Sequence, residues 1–342
     1  MRITTNSMVR NYNASLSSTL NSLNTSRSRL ESRRKFTNAY EDPVAAARAS
    51  SLTKKYLDIE SNLSTVEDTI GRQDSADAVI QQIATMISKA AKDEGLKAVN
   101  GSTSTEAKKT YATSLRQMQE SLLQLANSKY ADNYLFGGTE VTNPPFDLNA
   151  NGKVTFRGIE VSSTIPADID KLKEMAGEKL YIDVGLGLQY NQGVTVAKSY
   201  KDINGSTAFD MAFSGLSLLG YGTTGNPPIP QNAIELVGQM ADLLEAPSFD
   251  TDKFNQLSSQ LMKTQSNTTD YNAQVGVKRN FLTATQERLK TDRLNIYTQL
   301  DSVANIEPTE AIMDYSYSQY AYNMVLKIGS SLLTNSFIDF MK

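Results

Sequence analysis

From Phe254 onward a small or apolar residue returns every seven positions without a slip: Phe254, Leu261, Thr268, Val275, Leu282, Leu289, Ile296 and Val303. That period, held so long, marks helices packed side by side. A helix of about 50 residues, roughly 75 Å long, needs a partner of similar length. One lies earlier in the chain. Leu52, Tyr56, Ile59, Leu63, Val66 and Ile70 alternate spacings of four and three, and Ile80, Ala84, Ile87 and Ala91 resume in phase. Asp42 supplies an N-cap and Pro43 the first helical position, so a helix over 44–99 is predicted. Gln73 and Asp77 interrupt its stripe, and Gly71 costs roughly 0.8–1 kcal/mol relative to alanine, which predicts a bend or a polar seam there. Asn100-Gly101 should end it.

Shorter helices complete a bundle. Tyr111, Leu115, Met118, Leu122 and Leu125 form one face, started by caps within Ser102–Thr105, and Ala233–Ala246 another, with Ile234, Val237 and Leu244 on its packed side. Between them, Phe146 to Tyr221 reads as a separate β-rich module. Lys153–Arg157, Leu180–Val184 and Gly193–Val196 alternate, Asn151-Gly152 suits a hairpin, and Gly137-Gly138 suits a tight turn. The fold class expected is mainly α, with a β-rich insert in a long bundle made by both halves of the chain. The expected segments are an N-terminal assembly helix over 1–40, half-bundles over 41–145 and 231–305, the β-rich module over 146–230, and a C-terminal assembly helix over 306–342.

The two ends carry stripes of their own. Val9, Leu16, Leu20, Leu23 and Leu30 mark the first; Ile312, Tyr315, Tyr322, Leu326 and Leu333 the last, with Phe337 and Phe340 beyond. The first helix is rich in Ser, Asn and Thr, which are mediocre helix formers, and single helices are marginal in water. It should therefore be ordered only where partners bury it. Tyr315, Tyr317, Tyr320 and Tyr322 go around their helix, so one partner can cover only part of them. Tyrosine gives large contact area at modest ordering cost. These twelve stripe residues are the candidate assembly interface, with terminal helices paired as a coiled coil.

Composition excludes several chemistries. The chain has no Cys and no His. Disulfides, thiol chemistry and the commonest metal ligand and general base are all missing, and no cofactor is expected. Asp183-Val184-Gly185-Leu186-Gly187-Leu188 lacks the full glycine fingerprint of a nucleotide loop. A net charge of −3 argues against nucleic acid. The local cluster Arg27, Arg29, Arg33, Arg34 and Lys35 is read as a polar helix end and bend. No apolar run of about 20 residues predicts a membrane span, and the start has no signal-peptide core.

Several segments, taken in order, resemble the flagellin superfamily and, within it, the hook–filament junction proteins. They are Met1-Arg2-Ile3-Thr4-Thr5-Asn6, Leu30-Glu31-Ser32 through Ala47, Tyr134-Leu135-Phe136-Gly137-Gly138-Thr139, and Glu310-Ala311-Ile312 through Met341. Arg33-Arg34-Lys35-Phe36 is bulkier and more basic than the family's small-residue turn. The resemblance implies an exported, extracellular, non-enzymatic subunit of the flagellum. It would form a ring of about eleven copies, a closed cyclic assembly, between a neighbouring hook-associated protein and flagellin. It would leave the cell unfolded through the flagellar type III channel without a cleavable signal, escorted by a cytoplasmic chaperone. A flagellin-like filament subunit is the nearest alternative. A surface-adhesion or glycan-binding activity of the central module is another of a different class.

Overall fold

The computed structural model describes residues 5–95, 104–149, 152–192 and 199–340. Its helices are α1 (Thr5–Ser32), α2 (Pro43–Ser88), α3 (Thr105–Ala126), α4 (Pro166–Ala176), α5 (Gly215–Leu219), α6 (Ala233–Glu245), α7 (Thr251–Ala304) and α8 (Pro308–Phe340). Short strands lie between α3 and α6: the hairpin β1 (Lys129–Tyr130) and β2 (Asn133–Tyr134), and the antiparallel sheet β3 (Phe146–Leu148), β4 (Val154–Phe156) and β5 (Ile159–Glu160). The pairs β6 (Tyr181–Ile182) with β7 (Phe209–Asp210), and β8 (Thr223–Thr224) with β9 (Ile229–Pro230), complete them. The fold is thus mainly α with a central β-rich insert. Contacts group the chain into two compact units, 1–61 with 290–342, and 62–289.

In the 62–289 unit, core residues come from α2, α3, α6 and α7 and from the β-rich insert. Ile80, Ile83 and Ile87 of α2, Leu115 and Leu122 of α3, Val237 and Met240 of α6, and Phe254, Leu261 and Val275 of α7 are all buried. The same cluster takes in Phe146, Val154 and Phe156 of the sheet, Leu172 of α4 and Phe213 before α5. Phe146 meets Phe156 edge-on across the β3–β4 register, with ring centroids 5.0 Å apart. The insert and the bundle therefore share one hydrophobic core.

Sequence sets the helix ends. Asp42 Oδ1 accepts the Ala45 amide at 2.9 Å, Ser104 Oγ the Ala107 amide at 3.2 Å, and Asn232 Oδ1 the Ile234 amide at 3.0 Å. These are N-caps that satisfy otherwise orphaned donors. The seven-residue run on α7 is buried from Phe254 to Leu289 and half-buried at Ile296 and Val303. Thr268, fully buried in that run, donates its hydroxyl to Leu218 O at 3.0 Å. Polar pairs repeat along the same helices at seven-residue steps: Glu60 with Arg293 at 3.4 Å, Glu67 with Gln286 at 3.1 Å, and Asp74 with Arg279. Numbers rise on α2 as they fall on α7, so the two run antiparallel.

Three expectations change. The helix predicted over 44–99 stays α-helical to Ser88 and then widens into a π turn, Lys89–Glu94. Ala90 and Ala91 are both buried within that turn. Its predicted end, Asn100-Gly101, lies outside the described residues, as do Gly193–Val196 and Asn151. Gly71 makes no break in α2; instead it gives room to Tyr130, whose hydroxyl would lie 2.6 Å from an added Cβ. The strand predicted over 180–184 pairs only at Tyr181–Ile182. Asp183 ends it by accepting the amides of Gly185, Leu186, Gly187 and Leu188 on its carboxylate at 2.9–3.2 Å. Burial raises its pKa, but those four donors win and hold it below the usual aspartate value. The loop's own carboxylate thus occupies the place an anion would take.

The exit from the bundle is locked by charge. Arg157 pairs with Glu178 at 2.9 Å, both largely buried, and also donates to Gly137 O. Glu178 accepts the Thr139 amide at 3.1 Å and its hydroxyl at 2.7 Å. Gly138 takes φ +69°, a region only glycine occupies cheaply.

Candidate assembly interface

The 1–61 and 290–342 unit is built around α1 and α8, which pack antiparallel. Tyr12 lies against Gly329, where any added Cβ would collide with its ring, and Ser26 Oγ meets Ser318 Oγ at 2.9 Å. Beyond α1 the basic bend is clamped to the end of α7 and the link that leads to α8. Lys35 N donates to Ala304 O at 2.8 Å, Ile306 N to Arg33 O at 3.0 Å, and Lys35 Nζ to Ser302 O at 2.6 Å. Arg33 takes φ +56° to make this turn. Arg27 reaches Glu31 at 2.9 Å and Arg29 reaches Glu41 at 3.7 Å. The first pair lies in water, whereas the second is more covered, with the Glu41 side chain only 15% exposed.

One face of α8 meets α1: Ala311, Tyr315, Ser318, Tyr322, Val325 and Gly329, at alternating steps of four and three, all buried or half-buried. At 100° per residue, Met313, Tyr317, Tyr320, Met324 and Ile328 fall nearly opposite. That outer row is open: Tyr317 is 80% exposed, Met313 65% and Tyr320 64%. The four tyrosines therefore divide as their spacing requires, two inward and two outward.

The twelve candidate residues sort accordingly. Leu16, Leu23, Leu30, Tyr315 and Tyr322 are half-buried in the unit. Val9, Leu20, Ile312 and Leu326 are exposed, the last two at the flank of the α8 contact face. Leu333, Phe337 and Phe340 fall on α8, with side chains outside the described set. The outer row, with Met313, Met324 and Ile328, was missed from sequence. Its own 4-3-4-4 spacing was the available signal. The reading also missed Ser318 and Gly329, because small residues carry contact through closeness and not through apolarity.

α1 exposes apolar side chains too, at Met8, Val9 and Leu20. Its serines and threonines bond their own helix: Thr19, Ser22 and Ser26 donate to carbonyls four residues back, at 2.9–3.1 Å. This is a helix without a core of its own. A fully buried leucine is worth about 1.5–3 kcal/mol. Leu16, Leu23 and Leu30 are only half-buried, against an ordering cost of about 1–2 kcal/mol per backbone residue. Two opposed rows on α8, one covered and one open, describe a helix shaped for more than one neighbour. Among the described residues no helix is long and apolar enough to cross a membrane.

This arrangement defines a class before it defines a protein: a chain whose two ends pair with each other and still present unfilled apolar surface. Residues 3–140 match the family described as the bacterial flagellin N-terminal helical region. The fold is shared with solved structures. One is a Vibrio parahaemolyticus protein assigned as flagellar hook-associated, with TM-score 0.59 and 15% identity over 78% of this chain and 100% of that one. Another is the flagellar junction protein FlgL of Legionella pneumophila, with TM-score 0.51 and 14% identity over 76% and 100%. A third is FlgL of Bacillus cereus, with TM-score 0.50 and 14% identity over 73% and 99%. At such identities the likeness is one of fold. No curated protein matches the chain.

Proposed function

We propose that this chain is a structural subunit of the bacterial flagellum, an adaptor that joins hook to filament and does its work by assembly and not by catalysis. The open row Met313, Tyr317, Tyr320, Met324 and Ile328 carries the reading. Five large apolar side chains on one face, left in water on a helix already paired on the other, call for a neighbouring copy. Tyrosine and methionine are the types that interfaces favour. The flagellin match of residues 3–140 and the junction proteins among the fold relatives supply the setting.

Copies would close into a ring of about eleven, each α8 covering and being covered, as cyclic symmetry allows. A hook-associated protein would lie on one side of the ring and flagellin on the other. The subunit would reach the cell exterior through the flagellar export channel, with a cytoplasmic chaperone covering the same apolar C-terminal helix beforehand. The competing reading is a filament subunit, favoured by the flagellin description of the N-terminal match. Deleting the gene separates the two. Filament protein shed unattached into the medium supports an adaptor; loss of all filament protein supports a filament subunit.

A further inference from the structure

The turn between α1 and α2 is braced far beyond what a connector needs. Glu41 accepts the Thr37 hydroxyl at 2.9 Å, the Thr37 amide at 3.4 Å and Asn38 Nδ2 at 3.1 Å, and pairs with Arg29. Asp42 then caps α2. The braced segment presents two apolar side chains almost wholly to water, Tyr40 at 79% and Val44 at 80% exposure. On the other side of α2 lies a groove lined by Phe36, Ala46, Ala49, Thr53, Leu300 and Ala304, with Arg34 and Asp301 at its edge. At 100° per residue, Ala46, Ala49 and Thr53 point 140–200° away from Val44, on the opposite face, roughly 3–14 Å further along the axis. Knob and groove therefore stand at nearly one level on opposite sides of the same unit.

From this geometry we infer that the Tyr40–Val44 knob of one copy seats in the Ala46–Ala49–Leu300 groove of the next. The contact is head-to-tail. A knob and a hole on opposite faces cannot both be used within a two-fold pair, but they close a ring. Charge agrees with the fit. The knob side carries Arg48 one turn beyond Val44, and the groove carries Asp301. Asp42 stands beside the knob, and Arg34 edges the groove. Among the described residues neither Arg34 nor Arg48 has an ion-pair partner, whereas Arg27, Arg29 and Arg293 do. Ala46 and Ala49 keep the α2 wall of the groove low, and Phe36, Tyr297 and Leu300 give it the aromatic and aliphatic lining that suits a tyrosine ring.

This inference rests on the ring assembly proposed above, and one experiment keeps the two apart. The chain has no cysteine, so Val44→Cys, Ala49→Cys and the double variant can be expressed in place of the wild type and treated with a mild oxidant on isolated hook–filament structures. The inference expects a series of covalent multimers from the double variant, and monomer from either single variant. Filaments that attach normally but yield only monomer from the double variant overturn the knob-in-groove contact and leave the adaptor reading intact. Dimers from Val44→Cys alone overturn it in favour of a two-fold contact. Should the double variant not assemble, the charges give an independent arm. Arg48→Glu or Asp301→Arg alone is expected to lower filament attachment at least several-fold, and the two together to restore it. Failure of the pair to restore attachment overturns the contact. Absence of the wild-type protein from hook–filament structures overturns both readings.

Discussion

Phe136, Phe146, Phe156, Phe213 and Phe254 of the 62–289 unit have essentially no contact with solvent, and they come from β3, β4, α7 and two loops. In the α1–α8 pair, by contrast, the closest approach is a tyrosine ring on a glycine, and the leucines of α1 are half-buried. The first region seals these rings in a core made within one copy. The second is written with surface to spare: α8 spends one row on α1 and keeps another in water. The difference separates two uses of hydrophobic residues in one chain, stability in one place and association in the other.

The sharpest way to break that comparison is to charge the open row. Tyr317→Asp together with Tyr320→Asp is expected to reduce filament attachment, scored by electron microscopy, to the level of a gene deletion. The melting curve of the isolated protein should hardly move, because exposed substitutions usually stay within about 0.5 kcal/mol. Normal attachment in this variant would remove the basis for assigning the row to assembly. The converse test lies in the core. Phe213→Ala deletes a buried ring packed on Phe136 at 6.3 Å and beneath the Arg72 guanidinium. A loss of about 3–5 kcal/mol in urea unfolding is expected.

A smaller effect, of opposite sign, sits about two turns past the middle of α2. Gln73 is fully buried, and neither its amide nitrogen nor its amide oxygen has a hydrogen-bond partner. Beside it, Arg72 leaves Nε and Nη2 unpaired, and burial pushes its pKa down. An unsatisfied buried polar group costs about 1–3 kcal/mol. Gln73→Leu is therefore expected to stabilise the protein by about that amount, seen as a higher urea midpoint with unchanged slope. A destabilised variant would show that the amide is held for a bond the fold requires.

Most of the bundle was legible because its signal is periodic. The seven-residue run on α7 and the 4-3 alternation on α2 name residues that are buried or half-buried, and Asp42-Pro43 begins a helix where it should. What escaped the sequence has no period. The π turn at Lys89–Glu94 is a single turn, too short for any stripe to show it. The insert's strands are two or three residues long, too short for alternation to register. Its merging with the bundle rests on Phe146, Phe156 and Phe213, which are far apart in sequence. At the ends, the inward row of α8 contains Ser318 and Gly329, so a search for large apolar residues drew in Ile312 and Leu326 from the flank and passed over Met313, Met324 and Ile328. Tyr317 and Tyr320 showed only that some surface would be left over, not which row.

The smallest expected effect concerns pH, and it too distinguishes the regions, since the carboxylates of the α1–α8 pair are largely in water while two in the 62–289 unit are not. Burial raises the pKa of Glu178, but the Arg157 guanidinium and the Thr139 hydroxyl and amide outweigh it and hold it below the ordinary value of 4.5. Its folded pKa is depressed, so its contribution is complete above 4.5 and fades as pH falls through the lower folded value. Glu235 is shifted the other way. Burial raises its pKa above 4.5, only partly offset by the Ser162 hydroxyl at 2.9 Å and the nearby Lys153 charge, and its Oε2 has no partner. Ionising it costs the folded state, so stability is greatest below 4.5 and declines as pH rises through the raised folded value. Glu178→Gln should therefore flatten the acid side of the stability profile and Glu235→Gln the side just above 4.5. Both are read as urea midpoints measured from about pH 3 to pH 7, the range in which carboxylates titrate. Two profiles bending in the same direction would contradict the opposite environments assigned to these carboxylates. An equal change from Glu31→Gln, on exposed α1, would contradict the contrast between the two units.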